Sequence, residues 1–233
     1  YTAGMFELEV LDLLQERFMK KDTMILTGGS GLYIDAVCGG IDAVPRVDRE
    51  IREKLTKQYE EEGIERIREQ LKMLDPESYQ NIDLNNPKRI LKALEITLTA
   101  GKPYSSFLTR TKKSRPFHIM KIGLHRNRQE LYDRINQRVD RMIEEELIEE
   151  ARALYPYKHL NPLNTVGYKE LFEYFEGNIS REEAIRLIKR NTRRYAKRQL
   201  TWFSRDKSMV WFHPGEEDQI LDYIQNKLSP GSD

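Results

Sequence analysis

The chain has a single cysteine, Cys38, which excludes both a disulfide framework and a cysteine-based zinc site. It has no run approaching 18 apolar residues, which excludes a transmembrane helix and leaves no membrane partner to expect. A charged-then-apolar leader is missing from its start. Net charge of one sign is almost missing too: 39 Lys and Arg against 38 Asp and Glu leave +1. Its four histidines, His118, His125, His159 and His213, lack metal-ligand spacing and read as structural or surface groups. No nucleophile elbow or Ser/His/Asp constellation is present. Cysteine this scarce fits a reducing, cytoplasmic compartment.

What the chain has is charge in quantity, 33% of its residues, where about a quarter is usual. Hydrophobic residues at 39%, with 12 tyrosines and eight phenylalanines, suffice for a core in one large domain or two modest ones. Phe6, Val10, Leu13, Leu14 and Phe18 recur at helical spacing. A short apolar run, Thr23–Thr27, predicts a buried strand, and Gly28–Gly31 turns it into a helix at Leu32–Ile34. Helix, strand, glycine turn and helix together predict an α/β layout with a parallel sheet. From Val47 to about Lys113 the alternation stops. Asp48–Glu62, Ile64–Leu74 and Pro87–Ala100 read as amphipathic helices, the last with Asn86 as N-cap, Leu91, Leu94 and Leu98 inward and Gly101 as its stop. Thr109–Arg115 is a polar, basic connection back. Phe117–Leu124 resumes strand character, and a long helix from Asn127 to Leu154 follows, ended by Pro156. Thr165–Phe175 and Ser180–Ser204 are further helices, Met209–Phe212 a last strand and Asp218–Leu228 a last helix. The expected organisation is residues 1–46 as part of an α/β core, 47–115 as a helical insertion and 116–233 as the remainder of the core with C-terminal helices.

The charge is unevenly placed. Arg186, Lys189, Arg190, Arg193, Arg194, Lys197 and Arg198 fall at i, +3, +4, +7, +8, +11 and +12, with no acid between the first and the last. They form a cationic stripe about 18 Å long at 1.5 Å per residue. Like charges one turn apart repel, so the stripe calls either for a polyanion or for neutralisation by acidic helices such as Glu144–Glu150. Arg134, Arg138 and Arg141 share another face, fit to clamp a phosphate in bidentate fashion or to pair with Asp133, Asp140 and Glu144 along the helix. Gly28–Gly31 either offers backbone N–H groups to an anion or is a plain strand-to-helix turn; it matches neither a P-loop nor a dinucleotide fingerprint. Tyr195, Trp202, Phe203 and Trp211 either stack on bases or belong to a core.

Seven segments in order resemble one family. LTGGSGLYIDAVCGGID (Leu26–Asp42) is similar to the GGTGLY signature of tRNA dimethylallyltransferases, also called tRNA isopentenyltransferases. VPRVDREIREKL (Val44–Leu55), NPKRILKALEI (Asn86–Ile96), AGKPYSSF (Ala100–Phe107), LYDRINQRVDRMI (Leu131–Ile143), NTVGYKEL (Asn164–Leu171) and YAKRQLTWF (Tyr195–Phe203) match in the same order. The resemblance spans nearly the entire chain and is of the bacterial type. It implies a P-loop-NTPase-like parallel sheet core with a tRNA-gripping helical insertion, helix-rich overall. It also implies transfer of a dimethylallyl group from dimethylallyl pyrophosphate to N6 of the adenosine 3′ to the anticodon, flipped into a buried site. Mg²⁺ is the implied cofactor, tRNA (its anticodon stem-loop) and dimethylallyl pyrophosphate the implied partners, and a monomer the implied state.

Carried over by motif, Ser30 occupies the family's usual threonine, whose hydroxyl lies near the target amine. Arg138 matches the pyrophosphate-holding arginine. Arg52, Lys88, Arg89 and Lys92 match tRNA-contacting positions of the insertion. Asn164, Thr165, Val166, Gly167, Tyr168 and Lys169 match a further tRNA-interacting stretch, as do Lys197, Arg198, Gln199 and Trp202. Ser204 stands where an arginine is common, with Arg205 as a substitute. The resemblance places Tyr1 well inside a full-length member, so a phosphate loop and an Asp-Ser segment with the general base are expected upstream, and no metal ligand is assigned to this stretch. Two other readings share parts of the pattern: a non-catalytic RNA-binding protein using the 186–198 stripe, and a P-loop-type kinase with the same arginine clamp.

Overall fold

A computed structural model describes residues 1–109 and 111–228. Arg110, in the expected basic connection, and residues 229–233 lie outside the described residues. The chain divides into two compact units, one of residues 1–28 and 32–117 and the other of residues 29–31 and 118 onward.

In the first unit, helix α1 (Ala3–Phe18) starts at Thr2, whose hydroxyl accepts the Met5 N–H at 3.2 Å. Helix α2 (Gly31–Gly39) buries Ala36 and Val37. Glu7 of α1, 4% exposed, accepts from Arg115 at 2.8 Å, Lys113 at 3.1 Å and the Ile41 N–H at 3.2 Å. Arg115 also donates to the carbonyls of Ala36 and Val37. Burial raises the Glu7 carboxyl, but the hydrogen bonds from Arg115, Lys113 and Ile41 outweigh it, and its pKa lies below the usual range. This knot fastens the connection around Lys113 to the first two helices.

The helical segment follows. Helix α3 (Arg49–Leu74) is capped by Asp48 and broken at Gly63, whose φ of 80° and ψ of −174° are non-helical. The two expected helices, ending at Glu62 and starting at Ile64, are therefore both present and meet in a kink at Gly63. Helix α4 (Pro76–Asn81) comes next, then α5 (Pro87–Ala100), with Asn86 accepting from the Arg89 N–H and Gly101 at φ 63°. The buried stripe of α5 is Ile90, Ala93, Leu94 and Thr97, at i, +3, +4 and +7. Leu94 points inward as expected, but Leu98 is 38% exposed, one position too far round the helix. The core is Leu55, Ile67, Leu71, Ile90, Ala93 and Leu94.

The expected strand Thr23–Thr27 is not formed: the segment is irregular and Ile25 is 90% exposed. A strand needs a neighbour for its ladder, and the one ladder among the described residues belongs to the other unit.

That ladder joins β1 (Ile122–Leu124) and β2 (Val210–Phe212), parallel, with Ile122 opposite Val210 and Leu124 opposite Phe212. Lys121 and Asp206 pair at 2.5 Å just before the two strands. The long helix expected from Asn127 to Leu154 is two: α6 (Arg128–Glu144) and α7 (Leu147–Leu154), separated by Glu146 at φ 67°. An i+4 apolar series drifts by about 40° per step, so Ile135 and Ala151 would face far apart on one unbroken helix. The turn at Glu146 resets the register and sends Leu147, Ile148 and Ala151 into the core beside Val139.

Helix α8 (Tyr168–Phe175) starts later than the expected Thr165, because Gly167 takes φ 107°. Helix α9 (Arg181–Phe203) runs as expected from the Ser180 cap and buries Ala184 and Ile188, and α10 (Glu217–Leu228) ends the described chain. The result is a helix-rich chain with a small parallel sheet. No helix among the described residues is long and apolar enough to cross a membrane.

Candidate functional site

In the second unit the site is built on α9. Its early turns bury Ala184 and Ile188 in the core with Leu171 and Phe172 of α8, which fixes the helix and commits its other faces. Gln199 donates from Nε2 to the carbonyl of Gly29 at 2.9 Å. Trp202 lies directly on Gly31: a Cβ there would stand 2.6 Å from the indole Cγ. Two side chains of α9 therefore grip the glycine turn from both sides of Ser30, which is itself exposed. Gly29 and Gly31 of this turn are explained by close packing of α9 side chains.

The cationic stripe is less uniform than its spacing suggests. Arg186 forms a two-pronged pair with Glu183, one turn earlier, at 2.5 and 2.7 Å. Lys189 pairs with Asp140 of α6 at 2.5 Å. Two of the seven cations are thus neutralised, by partners just before the 186–198 window and across on α6 rather than by Glu144–Glu150. Arg193 donates to Asn136 at 2.6 Å and lies 5.7 Å from the Tyr132 ring, which Arg128 covers at 5.2 Å. Arg190 keeps its Nε buried without a hydrogen-bond partner. Arg194, Lys197 and Arg198 are exposed and make no ion pair among the described residues.

On α6, Asn136 and Asp140 face α9. Arg134, Arg138 and Arg141 lie about 140–200° round the helix from Asn136, at 100° per residue. All three are exposed, and none pairs with an acid among the described residues. Pairing along the helix is not found: Asp133 accepts from Gln129 at 2.9 Å, and Asp140 is taken by Lys189. Arg138 remains available to an anion.

The stretch Asn164–Lys169 forms the loop entering α8. Asn164, Thr165 and Lys169 are exposed, and Val166 is half-buried. Gly167, at φ 107°, gives its N–H to the buried Glu170 at 2.8 Å, and the other oxygen of Glu170 accepts from Asn191 of α9 at 2.7 Å. The Tyr168 hydroxyl meets Glu150 at 2.5 Å, which raises its pKa. Glu170 and Asn191, which tie this loop to α9, are missed by sequence reasoning; the one hint is a glutamate three residues after a glycine at a helix start.

In the first unit, Arg52 forms a two-pronged pair with Glu95 at 3.0 and 3.2 Å, and the hydrogen bond to Glu95 raises its pKa. Glu95 shares the helix face of Lys88 and Lys92, at i, +4 and +7, so the pair brings Arg52 beside that basic ridge. Lys88, Arg89 and Lys92 are exposed.

His213 has local partners, whereas His118 and His159 are exposed. Nδ1 of His213 lies 3.1 Å from the Gly215 N–H, and its Nε2 faces Glu130 at 3.3 Å. Among the described residues no three His, Cys, Asp or Glu side chains could together hold a metal ion. None of these residues is assigned to the Mg²⁺ that the resemblance implies.

The pattern of the family described as IPP transferase matches residues 1–206. A tRNA dimethylallyltransferase 1 of Phocaeicola vulgatus is 54% identical over 226 residues, 97% of this chain and 75% of that protein. Another from Porphyromonas gingivalis is 55% identical over 214 residues, 92% of this chain and 71% of that protein. Among solved structures, the full-length tRNA isopentenylpyrophosphate transferase of Bacillus halodurans superposes with a TM-score of 0.64 at 35% identity, covering 98% of this chain and 74% of that one. A eukaryotic dimethylallyltransferase acting on tRNA shares the fold, with a TM-score of 0.69 at 22% identity over 97% of this chain and 63% of that one. The chain belongs to the IPP transferase family.

Proposed function

We propose that the protein is a tRNA dimethylallyltransferase, moving a dimethylallyl group from its pyrophosphate to N6 of the adenosine 3′ to the anticodon. The observation that carries this is the grip of Gln199 and Trp202 on the turn that presents Ser30, on the same helix as the unpaired Arg194, Lys197 and Arg198. A hydroxyl is offered at the end of a helix whose unpaired cations suit an RNA backbone. The names of the relatives support the same reading.

In the reaction the adenine amine forms a bond to the allylic carbon while the carbon–oxygen bond to pyrophosphate breaks. The electron pair leaves with pyrophosphate, and the amine gives its proton to the aspartate base that the family resemblance implies. Ser30 accepts a hydrogen bond from that amine and orients its lone pair. Arg138, free of any acidic partner, takes the pyrophosphate oxygens, whose charge grows as the bond breaks. Arg52, Lys88, Arg89 and Lys92 hold phosphates of the RNA, as do Lys169, Lys197 and Arg198. We further infer that the parallel pair of strands belongs to a wider P-loop-like sheet, and that the enzyme works in the cytoplasm as a monomer. Parallel pairing supports the first of these points and the single cysteine the second.

The test is to incubate the full-length protein with dimethylallyl pyrophosphate and unmodified tRNA, then examine the nucleosides by mass spectrometry. Absence of prenylated adenosine from folded protein rejects the reading. Arg138→Ala is expected to raise KM for dimethylallyl pyrophosphate at least tenfold, the loss of roughly one charged hydrogen bond, and to leave tRNA affinity unchanged. Normal use of the pyrophosphate by that variant removes Arg138 from the role.

A further inference from the structure

Sequence reasoning leaves Tyr195 open between a core position and a base contact. The structure removes the first possibility, because Tyr195 is 45% exposed. Its hydroxyl has no hydrogen bond among the described residues, and the Arg198 guanidinium lies 5.6 Å from its ring centroid. Two turns on, Arg205 stands 5.7 Å from the Trp202 ring. Tyr195, Arg198 and Trp202 fall at i, +3 and +7, on one side of α9. The helix thus alternates aromatic and cationic groups along the part of the stripe that keeps its charge, whereas Arg186 and Lys189 are neutralised within the protein. An open aromatic face flanked by unpaired cations is the composition of a stacking platform for unpaired nucleic acid. Seven residues separate Tyr195 from Trp202, which rests on Gly31 beside Ser30. That is about 10 Å along the helix, a span that two or three nucleotides cover.

We propose that Tyr195, backed by Arg198, stacks on an unpaired base of the substrate RNA two or three nucleotides from the adenosine presented to Ser30. This rests on the tRNA dimethylallyltransferase reading. Every base has a π-face, so the contact positions the loop without reading its sequence. Arg198 adds charge toward the adjoining phosphate and holds the ring in place from its other face. Tyr195 is a positioning residue: it seats the RNA and takes no part in breaking the allylic bond.

The experiment compares full-length parent protein with Tyr195→Leu, Tyr195→Phe and Arg198→Ala. It measures tRNA affinity across a salt series, KM for tRNA, KM for dimethylallyl pyrophosphate, and kcat. Tyr195→Leu is expected to raise Kd and KM for tRNA about tenfold, within the range of a lost base stack, with kcat and the pyrophosphate KM unchanged. Tyr195→Phe, which keeps the ring, stays within about twofold of the parent. The slope of log Kd against log salt is unchanged in Tyr195→Leu and shallower by about 0.7–0.9 in Arg198→Ala, one phosphate contact fewer. Tyr195→Gln, equally suited to an exposed helix position, repeats the Leu result if that variant folds poorly. Parental tRNA affinity in the Leu or Gln variant overturns the proposal, as does a Phe variant as weak as Leu. A parent that binds tRNA yet prenylates nothing defeats the enzymatic reading instead, while the affinities still decide on the platform.

Discussion

Asp75→Ala is expected to destabilise the protein by about 3 kcal/mol, the penalty of leaving buried donors unsatisfied, and to lower Tm by roughly 6–12 °C for a chain of this size. Asp75 lies between α3 and α4 and is fully buried. One of its oxygens accepts from the Ser78 N–H at 3.0 Å and the Ser105 hydroxyl at 2.7 Å. The other accepts from the Ser78 hydroxyl at 2.6 Å and the Ser105 N–H at 2.8 Å. The carboxylate thus joins the start of α4 to the 3-10 turn Tyr104–Phe107, which follows α5. Truncation orphans two backbone donors and two hydroxyls at once. Asp75→Asn keeps one accepting oxygen but aims an amide N–H₂ at one of the two backbone N–H groups, so a loss of about 1–2 kcal/mol is expected.

The same site predicts a pH dependence. Burial raises the Asp75 carboxyl, yet the hydrogen bonds from Ser78 and Ser105 outweigh it, and its pKa in the folded protein lies below the usual value. A carboxyl depressed on folding contributes stability that is fully present above the unfolded pKa of about 3.9 and is lost as pH falls through the folded value. Thermal melts of the parent should therefore decline below about pH 4 more steeply than those of Asp75→Asn. Parallel acid limbs in the two proteins would remove Asp75 from that role.

Local chemistry was legible in the sequence wherever one helix decided the outcome. Asn86, Pro87 and Gly101 marked α5 at both ends, and Ser180 marked the start of α9. What could not be read were decisions made by a second element. The apolar run at Thr23–Thr27 looks like a strand because β-propensity describes a fit to neighbours, and its own residues cannot say whether neighbours are there. The apolar series through α6 and α7 looks continuous because each i+4 step is acceptable, while the accumulated drift is settled at Glu146 by packing against α8 and α9. The stripe of α9 looked unmatched because Asp140 is 49 residues from Lys189 in sequence and 2.5 Å away in space. For the candidate site, the motifs picked out Ser30, Gln199 and Trp202, but the reason they belong together, a turn held between two side chains of one helix, is a tertiary contact.

Gly31→Ala tests that contact and is expected to lower kcat/KM about 100-fold, the usual result of misplacing a reacting group by around an ångström. The added Cβ would stand 2.6 Å from the Trp202 Cγ, well inside any real carbon contact. An indole is a rigid plate, so either the ring or the turn must move. Trp202 is fixed by α9, with Arg205 over its face, and the turn is the softer partner. Ser30, next in line, moves with it. Gly29→Ala provides the contrast. Its Cβ meets the amide end of Gln199, a flexible tip that can swing away. That substitution loses one hydrogen bond to a carbonyl, worth about 1 kcal/mol, and should lower activity only about fivefold. Replacing the indole tells steric displacement from a general intolerance of the turn. In Gly31→Ala combined with Trp202→Leu the overlap is gone, so the second substitution should cost less activity in the Gly31→Ala background than in the parent. Steady-state prenylation assays on the four proteins give the coupling directly. Gly31→Ala within twofold of the parent, or effects that simply add, would mean that the grip of Trp202 does not place Ser30.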